Sequence, residues 1–216
     1  LEGVALPDAA TAHGHPGDDV ATLTWLVPAR SRSAASAILL PMTRITSPTV
    51  VGREHEWGHL RRALDRCRAG SGTVIGLVGE AGIGKSRLAA GLIASAELDG
   101  LPVLTGRAVD TGTPVPYRAL FEAVAGYVRN LDAGGPDPRL AAAGPALSQL
   151  VPDARPRDAE PYRASPMELA EALLRLLGVV GTDGGCVVVL EDLHWADPDT
   201  IAVLEDISST YLDNRF

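Results

Sequence analysis

Thr73-Val-Ile-Gly-Leu-Val-Gly-Glu-Ala-Gly-Ile-Gly-Lys-Ser86 is the stretch on which the fold turns. Its first six residues are a short, β-branched, apolar run and predict a buried strand. Gly79–Ser86 then fits the pattern G-x-x-x-x-G-K-[ST], and the residues from Lys85 to Leu98 carry a helix. Strand, glycine loop and helix in that order form a cradle for phosphate. The glycines permit backbone conformations that turn successive N–H groups inward, and the helix N-terminus adds partial positive charge. The candidate phosphate contacts are Gly79, Glu80, Ala81, Gly82, Ile83, Gly84, Lys85, Ser86 and Arg87. Lys85 is expected to reach the β and γ phosphates of a nucleoside triphosphate, and Ser86 to offer its hydroxyl to magnesium.

Lys85 is the only lysine among nineteen basic side chains; the rest are arginine. Where any positive charge suffices, this chain uses the guanidinium fork. It keeps the compact ammonium for the loop, where a point charge on a thin stem fits between phosphates.

A second element answers the first. Val187-Val-Val-Leu190 reads as a strand that delivers Glu191 and Asp192 to the carboxyl edge of a sheet, where ligands bind in open α/β folds. The order after the strand assigns Glu191 to the magnesium ion and Asp192 to the attacking water, with the reverse assignment open. His194, Trp195 and Asp197 follow at once. His194 reads either as a packing residue or as a sensor of the γ-phosphate. Asp197, before Pro198, reads as a helix cap.

Between and around these motifs, apolar spacing predicts helices over 53–69, 85–98, 117–131 and 165–180, with a short one near 139–150 and a last one from Asp197. It predicts strands over 73–78, 101–105 and 186–190. Ser165, Pro166 and Glu168 form a capping-box signature. Strands alternating with helices argue for a mostly parallel sheet between two helical layers, with strands apolar throughout. Residues 1–47 show no such periodicity and are expected to be poorly ordered, with the folded domain over 48–216. Met42 is a candidate for the true start of the chain.

Composition narrows the class further. The 216 residues are 46% apolar but only 4% aromatic, so the core must be built from Ala, Val, Leu and Ile. A formal charge of −8 argues against direct nucleic-acid binding by this stretch. Cys67 and Cys186 have neither zinc-ligand spacing nor the numbers for a disulfide framework, which suits a reducing, cytoplasmic setting. The longest candidate for a membrane span, residues 20–40, is broken by Pro28, Arg30 and Arg32. No secretory signal is evident. His13 and His15 lack a third ligand for a metal. There is no N-K-x-D for guanine, no Ser-Gly-Gly before the acidic strand, and no G-x-S-x-G elbow. The nucleotide expected is therefore ATP, with Mg2+.

Val51-Gly-Arg-Glu54, Leu77–Leu88, Val115-Pro-Tyr117 and Leu190-Glu-Asp-Leu-His-Trp-Ala-Asp197 together resemble the ATPase module of STAND-class regulators, above all the large ATP-binding regulators of LuxR type. The likeness covers about residues 48–205. It implies a P-loop NTPase three-layer sandwich of sheet order 5-1-4-3-2, and a slow switch that ATP closes and hydrolysis resets. It also implies base-side contacts from Val51, Gly52 and Arg53, other domains of the same protein and self-association as partners, and a helix-turn-helix domain that does the DNA binding. The family's fourth strand, its polar sensor and its helical lid have no counterpart before Phe216. The resemblance thus implies a sheet incomplete at its C-terminal side and a fragment that folds marginally and hydrolyses ATP poorly. A nucleotide-binding interaction module without useful catalysis, or an AAA+ loader, remains the alternative.

Overall fold

The computed structural model describes residues 20–27, 33–41, 53–112, 115–130, 145–150, 163–181 and 184–213. Five strands form one sheet: β1 (Val20–Val27), β2 (Ser33–Pro41), β3 (Ser71–Gly79), β4 (Val103–Arg107) and β5 (Cys186–Glu191). Their order across the sheet is β2-β3-β1-β5-β4. Among the described residues five α-helices cover it: α1 (Glu54–Arg68), α2 (Lys85–Leu98), α3 (Arg118–Asn130), α4 (Pro166–Val180) and α5 (Pro198–Asp213).

Two apolar clusters, one on each face, make the three layers. On one face Leu60, Leu64, Leu88 and Leu92 of α1 and α2 pack against Ile75, Leu77, Val187 and Val189. On the other, Leu120, Val124, Leu173, Leu176 and Leu204 of α3, α4 and α5 pack against Val74, Leu104, Val188 and Leu190. Alternate residues of β3 and β5 therefore serve both clusters, which is why these strands are apolar throughout. The edge strand β4 departs from that expectation: Leu104 and Gly106 are buried, while Thr105 and Arg107 are exposed.

Local chemistry sets the boundaries. Ser165 caps α4 by accepting from the Glu168 N–H, and Glu168 returns the bond to the Ser165 N–H at 2.9 Å. The helix expected near 139–150 is a 3-10 turn over Pro145–Gln149; residues 131–144 and 151–162 lie outside the described residues.

The N-terminal expectation needs correction. Within the segment read as poorly ordered, Val20–Val27 and Ser33–Pro41 are strands of the sheet. β2 runs parallel to β3 at one edge. β1 lies between β3 and β5 and is antiparallel to both. The position that the resemblance reserves for a fourth strand is thus held by residues that precede the loop in sequence. The physical signal was the alternation Thr22, Thr24, Leu26, all three of which are buried on one face of a β-branched run. Met42, His13 and His15 lie outside the described residues.

Candidate functional site

Three strand ends build the site. β3 runs into the loop at Gly79, β5 ends at Glu191, and β4 ends at Arg107, all at the carboxyl edge of the parallel strands. The loop takes its shape from Gly82 and Gly84, at φ +78° and +102°. A Cβ built at either would touch nothing within 4 Å, so glycine is needed there for backbone conformation and not for space. The α2 helix begins at Lys85, with Gly84 as its N-cap. Lys85 is 5% exposed. Its Nζ donates to the carbonyls of Gly79 at 2.6 Å and Glu80 at 2.7 Å, so the ammonium lies folded across the loop's mouth. Glu80, Ala81, Gly82, Ser86 and Arg87 are exposed, while Ile83 and Gly84 are half-buried.

Arg53 braces the loop from behind. It is buried, pairs with Glu56 at 2.9 Å, and donates from Nη2 to the carbonyl of Ile83 at 3.1 Å. Burial raises and the Arg53 partner lowers the Glu56 carboxyl, which ends below its usual range. Val51 and Gly52 lie outside the described residues, so of the three base-side candidates only Arg53 is placed, and it is placed against the loop.

The acids occupy contrasting positions. Glu191 closes β5, with its side chain 20% exposed. Its Oε1 is buried without a hydrogen-bond partner. Asp192 takes the left-handed conformation, φ 56° and ψ 37°, which turns the chain sharply after the strand. Arg107 bridges the pair: Nη2 to Glu191 Oε2 at 2.9 Å and Nε to Asp192 Oδ2 at 3.3 Å. The backbone N–H of Arg107 is held by Glu122 at 3.0 Å. The hydrogen bond and charge of Glu191 raise the guanidinium above its already high pKa. Sequence reading passed over Arg107; an arginine at the end of an edge strand is ordinary until the topology puts β4 beside β5.

His194 follows the acids, its ring 4.8 Å from that of Trp195. It lies in a 3-10 turn, Leu193–Trp195, directly after the acids, with Nδ1 buried and unpartnered. Burial depresses its pKa, the negative charge of Asp192 raises it and the positive charge of Lys85 lowers it. Asp197 is buried and caps α5 as expected, accepting from the Thr200 N–H at 2.9 Å; it also accepts from the Tyr117 N–H at 3.0 Å.

The residues present suit a divalent cation bound with a triphosphate. The orphaned Glu191 Oε1 is a hard oxygen acceptor lacking a protein donor, Asp192 lies beside it, and oxygen donors are what magnesium takes. Among the described residues no group of three or more His, Cys, Asp or Glu forms an all-protein metal site. Among the same residues no helix is long and apolar enough to cross a membrane.

A family model, that of the AAA ATPase domain, matches residues 49–211. No curated protein and no solved structure shows significant similarity to the chain.

Proposed function

The chain belongs to the AAA ATPase domain family, and from that premise we propose that it is a nucleotide switch binding ATP with Mg2+ and hydrolysing it slowly. Gly79–Ser86 takes the phosphates, Ser86 and Glu191 face the cation, and Asp192 orients the water. The observation that carries this reading is the sheet: β3 and β5 both run antiparallel to β1, so the loop after Gly79 and the acids Glu191 and Asp192 leave the sheet at the same edge. Loop and acids are remote in sequence, and that common edge supports a shared site.

Lys85 supplies the charge that moves. Without phosphate its ammonium is satisfied by the carbonyls of Gly79 and Glu80; phosphate oxygens are stronger, charge-assisted acceptors for the same donors. A bound magnesium ion would supply charge that offsets the phosphates. Glu191, through its unpartnered Oε1, would help hold it, and the left-handed turn at Asp192 places the second carboxylate directly after the strand. Arg107 holds both acids in place.

The wider setting is also our proposal. The motif order from Val51-Gly-Arg-Glu54 to His-Trp-Ala-Asp197 supports a place in a STAND-class regulator of LuxR type. Such a protein would be cytoplasmic, with further domains that bind DNA and with the possibility of self-association. In that setting the ATPase portion is 48–216 together with Val20–Val27 and Ser33–Pro41, which share its sheet.

The test is a titration of ATP with and without Mg2+. Lys85→Ala is expected to weaken binding about a hundredfold or more, the loss of roughly 3 kcal/mol of charge-assisted bonding. Unchanged affinity in that variant would remove the phosphate-loop reading altogether. A second reading, a binding module without useful turnover, is favoured by the Arg107 fork, which engages both acids. Single-turnover hydrolysis of bound ATP separates the two: conversion to ADP supports the switch, and ATP recovered intact supports the module.

A further inference from the structure

β1 is the only described strand that runs against the rest of the sheet, and it stands in the middle. It pairs with β3 from Val20↔Gly79 to Leu26↔Thr73, and with β5 from Leu23↔Leu190 to Val27↔Cys186. β3 and β5 do not pair with each other. The strand carrying the loop and the strand carrying the acids are thus joined in the sheet only through Val20–Val27. Two inter-strand steps hold them about 9.5 Å apart. Without β1 they would either close by one step or lose their pairing, and in both cases the loop and the acids would change separation.

β1 is also poorly matched to its place. Thr22 and Thr24 are 1% and 0% exposed, on the face where β3 and β5 present Ile75, Leu77, Val187 and Val189. The Thr24 hydroxyl oxygen is buried with no partner, a cost that an aliphatic side chain would not carry. The strand's first residue, Val20, is level with Gly79, the first residue of the loop.

We propose that β1 is a docking strand whose insertion between β3 and β5 is thermodynamically linked to nucleotide at the loop. This rests on the ATP-binding reading above. A docked β1 sets the spacing that the triphosphate and its cation need. By reciprocity, bound nucleotide holds β1 in the sheet. The linkage is built from residues that lie outside the loop and the acidic strand end, and it makes the segment ahead of the loop a control point for the site.

Hydrogen exchange on the full 216-residue chain tests this. Saturating Mg·ATP is expected to slow exchange of the Ala21–Leu26 amides roughly tenfold, within the usual range of site–site coupling. Thr24→Pro, which removes a ladder N–H from a central strand, is expected to weaken ATP binding by a similar factor. Protection of Gly79–Ser86 by Mg·ATP with no change in Ala21–Leu26 overturns the linkage, as does wild-type affinity in Thr24→Pro. If Thr24→Pro fails to fold, the exchange measurement on the unmodified chain decides alone. A wild-type chain that takes up no ATP overturns the function and the linkage with it, whereas the two preceding results overturn the linkage only.

Discussion

The backbone N–H of Tyr117 donates to Oδ2 of Asp197 at 3.0 Å, joining the turn before α3 to the start of α5 across eighty residues of sequence. Tyr117 is in the left-handed region, φ 60°, unusual for an aromatic residue. The bond to a buried carboxylate offsets that strain. The same carboxylate accepts from the N–H and the hydroxyl of Thr200.

Asp197→Ala is therefore expected to cost more than a lost helix cap. The cap contributes about 1 kcal/mol, and a buried N–H left unpaired on a strained residue adds about 1–3 kcal/mol. Denaturant unfolding should show a loss of roughly 2–4 kcal/mol, with Asp197→Asn in between because its amide keeps one acceptor oxygen. A loss no larger than 1 kcal/mol in Asp197→Ala would reduce the residue to a cap.

Arg107 forks Glu191 and Asp192 while its own side chain is 49% exposed. Exposed pairs contribute little to stability, so Arg107→Ala should leave the unfolding midpoint nearly unchanged. Its effect should appear in the site: the two acids, relieved of one positive charge, should draw Mg2+ more strongly. The Mg2+ needed for half-maximal ATP binding is expected to fall several-fold. A rise in that concentration, or none, would mean the fork does not compete with the cation.

Gly106→Ala should be among the most damaging small substitutions. A Cβ there would lie 2.0 Å from the carbonyl oxygen of Ala119, because β4 and α3 meet backbone to backbone. Neither backbone can yield without moving its element, so a loss of about 3 kcal/mol or more is expected, read as a lowered melting temperature. Gly82→Ala, by contrast, meets no atom and is expected to cost only the strain of its φ, about 1–2 kcal/mol.

Cys67 and Cys186 are buried in opposite layers. Burial lifts the Cys67 thiol from 9.0 to about 11 and Cys186 further still. Both thiols should resist alkylation in the folded chain at pH 8 and react only on unfolding. The folded form keeps these protons longer than the unfolded one. Their contribution to stability is therefore complete below pH 9 and lost as the pH rises towards 11 and beyond. Prompt alkylation of either thiol in the native protein would contradict this burial.

Most of the site was legible in the residues. Gly79–Ser86 carries its conformation in its glycines, and Ser165, Pro166 and Glu168 carry the start of α4 in theirs. The apolar run before Glu191 announced a buried strand that ends in acids. These features are local, each set within a few residues by backbone freedom, capping or burial pattern. Arg107 and the Asp197–Tyr117 bond were not legible, since each depends on a neighbour from a distant segment.

The sequence by itself determined the strand, glycine loop and helix over 73–98 and the apolar strand that ends in Glu191 and Asp192, which we propose to be the two halves of one site. Tertiary structure alone decided what separates the two. Val20–Val27 has no local property that places it in the centre of the sheet and antiparallel to its neighbours; a β-branched run pairs as readily at an edge. Its place follows from the pairing that β3 and β5 leave open between them, and that pairing is a property of the assembled sheet rather than of any stretch of chain.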